Sequence, residues 1–321
     1  MEYKSNNVQD LARKYGYKDY MIDRYLKLFG EDRIKDFLEG NEQVITPSIR
    51  VNTLKISEDE LYERLTGKGF VLEPISLIPD AFYVKKTPFS IGATTEYLLG
   101  YYYIQRVTSM IPPMILNPTP EDVVVDMCAA PGGKTIQIAQ NMKNQGVIIA
   151  LDLNRARMKS LRSNISRCDV RNVIAIRMDA INLEKLHIEN ISKILLDAPC
   201  TGSGLIPVDP TRKKSRSYDD IKFCSFLQKK LMKAALSSLR VGGELVYSTC
   251  SIEPEENEYI INDAMEHFNV EILELGIEWG EPGLTEIFGR QLSKDLKKAK
   301  RFYPFLHKTV GFFVCKLRKV E

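Results

Sequence analysis

The amino-acid sequence predicts an α/β protein whose larger part is a mostly parallel β-sheet flanked by helices. From residue 122 onward, five apolar runs rich in β-branched residues alternate with helical stretches. Strands that alternate with helices form βαβ units, and such units build parallel sheets. The preceding segment mixes helical and short strand patterns. We therefore predict a small α+β domain over residues 1–112 and an α/β domain over residues 113–321.

The N-terminal elements follow from spacing and from capping residues. Apolar residues recur at intervals of three and four over residues 8–39, which predicts helix. The segments 47–53, 70–73 and 81–84 are predicted to be strands. Ser57 is predicted to cap a short helix, because acidic residues fill the turn that follows it.

The elements of the larger domain follow in the same way. Its five core strands are predicted at residues 123–126, 147–152, 173–179, 194–197 and 244–247. Helices are predicted over residues 134–144, over the stretch that ends near Cys168, and over residues 219–239. Two late segments, 270–275 and 311–317, are predicted to pair as an antiparallel edge of the sheet.

Composition and charge leave most function classes open. The net charge is +3 and hydrophobic residues make up 44% of the chain, as in a globular protein with a real core. No apolar run approaches the roughly 18 residues of a membrane span. The polar start Met1–Lys4 does not resemble a signal peptide, so we expect a cytoplasmic protein without membrane contact. Two basic clusters could face phosphates or simply solvent: Arg212, Lys213, Lys214 and Arg216, and Lys294, Lys297, Lys298, Lys300 and Arg301.

The six cysteines form no C-x-x-C pair and no zinc-binding spacing, so we expect no metal site. In a cytoplasmic protein we also expect free thiols rather than disulfides. Three of the thiols are predicted to act as small core residues: Cys168, Cys224 and Cys315.

Two further cysteines follow buried strands directly. Cys200 comes after the apolar run 194–197 and Cys250 after the run 244–247. Ligands bind at the carboxyl ends of strands in open α/β sheets, so both thiols are expected at that edge. Two thiols beside the carboxylate of Asp197 indicate chemistry at an electron-poor ring carbon.

Four core strands also carry an aspartate at or near the carboxyl end: Asp126, Asp152, Asp179 and Asp197. A single such aspartate commonly caps a helix, but four along one sheet edge indicate a ligand site. The turn Cys128–Lys134 lacks both G-x-G-x-x-G and the P-loop pattern, which disfavours a dinucleotide or a nucleoside triphosphate. Asp152 follows the turn by about 20 residues, where a carboxylate can accept from ribose hydroxyls. A Rossmann-like sheet that binds adenosine and a carboxylate, without pyrophosphate, indicates S-adenosylmethionine.

Five blocks of the chain, taken together and in order, carry a family resemblance. They lie at residues 47–55, 126–134, 197–202, 248–251 and 301–319. They resemble the signature blocks of the RNA 5-methylcytosine methyltransferases (the Nol1/Nop2/Sun family) over roughly residues 45–319. The chain resembles compact archaeal tRNA members of that family more than bacterial ribosomal ones.

The resemblance implies a Rossmann-like class I methyltransferase sheet and assigns cofactor contacts. It implies that seven residues surround the methionine end of S-adenosylmethionine: Cys128, Ala129, Ala130, Pro131, Gly132, Gly133 and Lys134. It implies Asp152 with Arg157 at the ribose and Asp179 at the adenine. Asp197 would face both the cofactor and the target base.

The resemblance also implies catalytic roles. Cys250 would attack cytosine C6, Asp197 would serve N3, and Cys200 would help to resolve the covalent adduct. DNA cytosine methyltransferases instead use the cysteine of the Pro-Cys pair, which would be Cys200 here. The two schemes differ in which thiol forms the adduct.

The implied partner is RNA, with tRNA preferred and no obligatory protein partner evident. Arg50, Asn52, the two basic clusters and the N-terminal domain are candidates for RNA contact. The tyrosines at positions 97, 101, 102 and 103 are expected to pack between the domains rather than to stack on bases. Alternatives are an rRNA cytosine methyltransferase, a non-catalytic RNA-binding assembly factor that keeps the fold, a DNA methyltransferase and a Rossmann dehydrogenase.

Overall fold

The computed structural model describes residues 5–321, which form a four-stranded N-terminal sheet, a nine-stranded C-terminal sheet with helices around both, and a short two-stranded sheet within residues 286–291. The elements of the first part are α1 Ser5–Tyr15, α2 Asp19–Gly40, β1 Ser48–Val51, α3 Glu58–Thr66, β2 Val71–Pro74, β3 Ala81–Lys86, α4 Thr95–Leu98, β4 Tyr102–Ile104 and α5 Val107–Leu116. Ser57 caps α3 as predicted, because its side chain accepts a hydrogen bond from the Glu60 backbone N–H.

The second part follows the predicted alternation. Its elements are β5 Val123–Asp126, α6 Gly133–Asn141, β6 Val147–Asp152, α7 Arg155–Arg167, β7 Val173–Arg177, β8 Lys193–Asp197, α8 Arg212–Ser215, α9 Tyr218–Ser238, β9 Glu244–Thr249, α10 Glu258–His267, β10 Val270–Leu273, β11 Glu281–Pro282, β12 Glu286–Ile287, β13 Arg290–Gln291, β14 Lys300–Phe302, α11 Pro304–His307 and β15 Phe312–Lys319. Short 3-10 turns occupy Ile91–Ala93, Ala180–Leu186, Ser203–Leu205, Pro254–Glu256 and Lys294–Lys298.

The large sheet has the predicted class. Strands β7, β6, β5, β8 and β9 run parallel in that spatial order, so the carboxyl ends of β5 and β8 lie side by side at the centre. β15 continues the sheet antiparallel to β9, and β10 and β14 both pair with β15. The prediction of a mostly parallel sheet with an antiparallel C-terminal edge is confirmed, and β14 extends that edge beyond the two predicted segments.

The N-terminal helical region is interrupted and packs away from the small sheet. The predicted helix over residues 8–39 breaks between α1 and α2, where Gly16 has φ of 76°, and α2 kinks at Gly30 with φ of 75°. The buried face of both helices packs on residues of the larger part, including Ile206, Ile252 and Tyr303. The division of the chain at residue 112 stays a prediction.

Buried polar contacts join the small sheet to the larger part. Arg50 of β1 donates from Nη2 to the Gly133 carbonyl at 3.1 Å, and Asn52 donates from Nδ2 to the Cys168 carbonyl at 2.8 Å. The interpretation of these two side chains as surface residues available to RNA is wrong, because both are buried within this junction.

None of the helices formed by residues 5–321 has the length and apolar content needed to cross a membrane. The segment Met1–Lys4, which bears on the signal-peptide expectation, lies outside the described residues.

Candidate active site

The two predicted thiols meet at the carboxyl edge of the large sheet. β8 and β9 are neighbours, with Asp197 in register with Ser248, and each strand leads directly into a loop that carries a cysteine. Cys200 Sγ and Cys250 Sγ lie 3.2 Å apart, and both cysteines are free thiols. They line one wall of a cavity of about 690 Å³. The sheet therefore presents two interacting thiols to a space large enough for a small-molecule ligand.

The two thiols have different environments. The pKa of Cys250 is lowered by the hydrogen bond from Cys200 and, to a smaller extent, by the positive charges of Lys134 and Arg212. The pKa of Cys200 is raised by the same contact, by burial, and by the negative charges of Glu256 and Asp197. Of the two thiols, Cys250 is therefore the more acidic, and it loses its proton more readily than Cys200. A thiolate is the nucleophilic form of cysteine.

Asp197 is held on both carboxylate oxygens. Ser248 Oγ donates to Oδ1 at 2.7 Å, and Lys134 Nζ donates to Oδ2 at 2.7 Å. Lys134 Nζ also contacts Ser109 Oγ at 2.8 Å, which fixes the ammonium between α5 and β8. Asp197 thus has a donor on each carboxylate oxygen, and it lines the same cavity as the two thiols.

The turn from Cys128 to Lys134 is shaped by close contacts. Gly132 has φ of 112°, and a Cβ there would lie 2.9 Å from Leu161 Cδ1. A Cβ on Gly133, the first residue of α6, would lie 2.9 Å from the ring of Tyr103. Both glycines are therefore needed for the turn to pass close to its neighbours.

Asp152 and Arg157 support this turn from β6 and α7. The Ala130 backbone N–H donates to Asp152 Oδ2 at 3.3 Å, and Arg157 Nη2 donates to the Ala130 carbonyl. Asp179 caps the 3-10 turn Ala180–Leu186 through Ile181 N–H at 3.1 Å. All three side chains also line the 690 Å³ cavity, so their capping roles do not remove them from the ligand site.

The predicted cofactor residues divide between two adjoining cavities. Cys128, Asp152, Arg157, Asp179 and Asp197 line the cavity that holds the thiols. A second cavity of about 530 Å³ lies between the turn and the small sheet, and Cys128 and Asp197 line both. The other turn residues that line the second cavity are Ala129, Ala130, Pro131, Gly133 and Lys134. Gly132 lines neither cavity, and its role is to shape the turn.

The sequence did not predict several contacts in and around the two cavities. Arg212 Nη1 and Arg216 Nε donate to the Thr201 carbonyl at 2.6 and 3.1 Å, and both arginines line the 690 Å³ cavity. Ser248 lies within a recognised block, but its contact with Asp197 depends on strand register. Glu256, described below, lies in an acidic stretch that by sequence indicates an exposed helix start.

The interpretation of the two basic clusters as phosphate-facing or solvated surface is wrong for two residues. Arg301 is 1% exposed, lies 3.4 Å from Glu258, and donates to the Ile252 carbonyl at 2.5 Å. Lys213 is 8% exposed and donates to Glu42 and to the Tyr15 carbonyl. Both cations hold segments together instead of facing RNA.

The tyrosine-rich segment packs in two ways. Tyr102 is fully buried in the core of the small domain. Tyr97 and Tyr103 instead contact α7, because the Arg167 guanidinium lies 4.2 Å from the Tyr97 ring centre and Asn164 Nδ2 lies 3.3 Å from Tyr103 Oη. Tyr97 and Tyr103 thus pack between the small sheet and α7, as expected. Elsewhere, Cys168 and Cys315 are buried and Cys224 is half-buried.

Within residues 5–321, no group of three or more histidine, cysteine, aspartate or glutamate side chains is arranged to hold a metal ion.

Two family models match the chain. The model described as 16S rRNA methyltransferase RsmB/F matches residues 113–318. The model described as the N-terminal domain of 16S rRNA methyltransferase RsmF matches residues 18–106. Together they cover both sheets.

The names of similar proteins refer to different RNA substrates. The 28S rRNA (cytosine-C(5))-methyltransferase of Mus musculus is 39% identical over 99% of this chain, and the chain spans 41% of the mouse protein's length. The tRNA (cytosine(49)-C(5))-methyltransferase of Pyrococcus abyssi is 36% identical over 93% of this chain and 95% of its own. The crystal structure of a methyltransferase homolog protein from Pyrococcus horikoshii matches with a TM-score of 0.89 and 45% identity, over 98% of this chain and 99% of that one.

Proposed function

The chain belongs to the RsmB/F family of RNA methyltransferases, and from that premise we propose that it methylates C5 of a cytosine in RNA with S-adenosylmethionine as methyl donor. One observation carries the proposal. Two thiols of unequal acidity lie 3.2 Å apart at the sheet edge, beside a carboxylate that is held on both oxygens. A non-catalytic RNA-binding protein with this fold would have no use for that arrangement.

The residues of the 690 Å³ cavity fit the proposed methyl donor. Asp152 and Asp179 supply carboxylate oxygens, which match ribose hydroxyls and an adenine amino group. The turn beside Cys128 begins α6, whose N-terminus suits the carboxylate of a methionine moiety. Bound S-adenosylmethionine supplies a methyl group that an electron-rich carbon can attack.

Cytosine C5 becomes electron-rich only after a nucleophile adds to C6. In the proposed reaction the Cys250 thiolate forms a bond to C6, and the electrons of the C5–C6 double bond shift through the ring towards N3. N3 must gain a proton or a strong hydrogen bond as this happens. Asp197 is the group assigned to N3, and we assign the proton to the Lys134 ammonium because its Nζ donates to Asp197 Oδ2 at 2.7 Å.

The adduct must then break. After methylation, a base removes the proton from C5, the C5–C6 double bond forms again, and the bond from C6 to Cys250 Sγ is cleaved, while the proton on N3 returns to the Asp197–Lys134 pair. Cys200 donates its hydrogen bond to the departing sulfur, which stabilises the thiolate as it leaves. Cys200 is therefore proposed to assist resolution, and the scheme in which Cys200 is the nucleophile is disfavoured by its raised pKa.

The proposed substrate is tRNA. The support is the archaeal tRNA enzyme, which matches the chain over nearly the whole length of both proteins. rRNA is the second candidate, because the mouse rRNA enzyme has the higher identity of these two relatives and the family model is named for rRNA enzymes.

The test is bisulfite mapping of transcribed tRNAs and rRNA after incubation with the protein and S-adenosylmethionine. We expect protected cytosines in tRNA that disappear with Cys250→Ala. With Cys200→Ala, we expect a covalent protein–RNA complex to accumulate on denaturing gels, because the leaving sulfur has lost its donor. Protected cytosines found only in rRNA would show that the substrate is rRNA and not tRNA. An adduct that disappears with Cys200→Ala, but persists with Cys250→Ala, would reverse the roles of the two thiols.

A further inference from the structure

Glu256 is a buried carboxyl that contacts the residues following both cysteines. It ends the 3-10 turn Pro254–Glu256 and is 0% exposed. The Thr201 backbone N–H donates to Oε2 at 2.8 Å, and Ser251 Oγ donates to Oε1 at 2.7 Å. Because Thr201 follows Cys200 and Ser251 follows Cys250, one carboxylate bridges the two loops that carry the thiols.

Two more donors complete the coordination of this carboxylate. The Thr201 hydroxyl also donates to Oε1, and Gln228 Nε2 of α9 donates to Oε2 at 3.1 Å. Gln228 Nε2 contacts the Pro199 carbonyl as well, at 2.9 Å, so the loop before Cys200 is tied to the same point. Four donors occupy the sites that an ionised carboxylate offers. We call Glu256, Thr201, Ser251 and Gln228 the Glu256 bridge.

We infer that Glu256 is a positioning residue for the proposed methyl transfer. The Glu256 bridge holds the two cysteine loops so that the Cys200 and Cys250 sulfurs stay 3.2 Å apart, and this contact is what makes the two thiols unequal in reactivity. The inference rests on the proposed function, because it assigns Glu256 to the reaction of those two thiols. Glu256 does not line either cavity and acts through its neighbours.

The electrostatics of the loops agree with this role. Burial raises the pKa of Glu256 to about 7, against hydrogen bonds from Thr201 and Ser251 that lower it. The bridge is therefore fully ionised only above pH 7, and it loses an acceptor when the carboxyl is protonated. The titratable or charged groups around the bridge are Cys200, Arg212, Arg216, Cys224, Tyr247, Cys250, Glu253 and Glu258.

Glu256→Gln tests the inference, because it keeps the shape but replaces one acceptor oxygen with a donor. The first measurement is the rate at which iodoacetamide alkylates each thiol between pH 6 and 9, with the sites mapped by mass spectrometry. We expect the wild-type protein to react at Cys250 in preference to Cys200. We expect the variant to lose much of that preference, and the pH midpoint for alkylation of Cys250 to shift upward because its contact with Cys200 is weakened. We also expect kcat to fall about 10- to 100-fold, the effect of displacing a reacting group by up to 1 Å, while KM for S-adenosylmethionine stays near wild type.

Glu255→Gln is the matched control. It is the same substitution at the preceding residue, whose carboxylate pairs with Arg24 instead of the cysteine loops. We expect this variant to retain wild-type thiol selectivity and pH midpoint.

A folded Glu256→Gln protein with wild-type thiol selectivity and kcat would overturn the inference. So would parallel loss of thiol selectivity and cofactor affinity, which indicates a general structural role. If Glu256→Gln does not fold, Thr201→Val and Ser251→Ala each delete one hydroxyl donor, and unchanged selectivity in both also overturns it. Alkylation requires no RNA, so a protein that transfers no methyl group would contradict the proposed function and still leave the role of Glu256 measurable.

Discussion

Asp126 illustrates what burial does to a single carboxyl at the end of a central strand. It is 1% exposed, and its Oδ2 accepts a hydrogen bond from Thr135 Oγ1 at 2.7 Å. Burial nevertheless raises the pKa of Asp126 from its ordinary value to about 7. Between about pH 4 and pH 7 the folded protein therefore binds more protons at this site than the unfolded chain does.

We expect the folded protein to become less stable as pH rises through that interval, because Asp126 then loses this proton. The contribution of protonated Asp126 to the free energy of unfolding is fully present below the unfolded pKa. It is lost as pH rises past the folded pKa, at up to about 1.4 kcal/mol per pH unit for one group. Asp126→Asn mimics the protonated form, so its free energy of unfolding should fall less between pH 5 and pH 8. Denaturant unfolding at both pH values measures this, with the exposed Asp219→Asn as control. Part of the wild-type dependence should remain, because the raised pKa of Glu256 acts in the same direction. Equal pH dependence in wild type and Asp126→Asn would contradict this account.

At the scale of elements, the loop of Cys200 packs directly against the start of β15. The Gly204 backbone N–H donates to the Cys250 carbonyl at 3.0 Å, and the Gly311 N–H donates to the Gly204 carbonyl at 2.8 Å. A Cβ on Gly204 would lie 2.3 Å from the Gly311 carbonyl oxygen. The antiparallel edge therefore reaches the two cysteine loops through backbone contacts that leave no room for a side chain.

We expect Gly204→Ala to destabilise the protein by about 1–3 kcal/mol, the usual cost of an inserted methyl group in a packed region. Because the clash separates the Cys200 loop from the Cys250 carbonyl, the yield of covalent RNA adduct should fall as well. Unfolding by denaturant and adduct gels measure the two effects. Gly92→Ala is the control, since the nearest atom to its added Cβ is 3.7 Å away. Similar losses for both variants would show that the contact with Gly311 is not the cause.

The elements that sequence predicted are those whose signals are local. The core strands are apolar runs that end at aspartates, and their order along the sheet edge brought Asp197, Cys200 and Cys250 together as expected. Helix α5 was missed because it contains Pro112 and Pro113, and prolines ordinarily argue against helix.

The parts of the site that sequence did not predict depend on tertiary partners. Glu256 and Arg301 belong to charged segments that indicate exposed surface, yet both are buried among groups from distant segments. The donors that satisfy them come from other loops, as Thr201 does for Glu256 and Glu258 does for Arg301. Periodicity and spacing within one segment carry no information about such partners.

At the scale of the whole molecule, the N-terminal helices are attached to the loop that follows Cys250. Arg24 of α2 donates from Nε and Nη2 to Glu253 Oε2, at 3.0 and 2.8 Å, and from Nη2 to Glu255 at 2.6 Å. The Glu253 backbone N–H in turn contacts Ser251 Oγ at 3.1 Å, within the Glu256 bridge. Besides its apolar contacts, α2 is therefore linked to the loop after Cys250 through the ion pairs of Arg24.

Removing Arg24 and removing the charge of Glu253 should lower the free energy of unfolding by different amounts. Removing Arg24 leaves the buried Glu253 without its hydrogen-bonded cation, whereas removing the Glu253 charge leaves Arg24 paired with the more exposed Glu255. Breaking a buried pair from one side costs about 3–5 kcal/mol, most of it from the charge left behind. We therefore expect Arg24→Met to lower the free energy of unfolding by that amount, and Glu253→Gln to lower it by less.

The double variant Arg24→Met/Glu253→Gln makes the expectation specific, because it removes the stranded charge together with its partner. It should be more stable than Arg24→Met alone, and its loss should be smaller than the sum of the two single losses. Denaturant unfolding of the four proteins closes the cycle. A double variant that loses the full sum would mean that Arg24 stabilises the molecule through packing on Tyr218 and Phe288, whose ring centres lie 5.2 Å from its guanidinium, and not through the ion pair. In that case the N-terminal helices and the loop after Cys250 would be neighbours without electrostatic coupling.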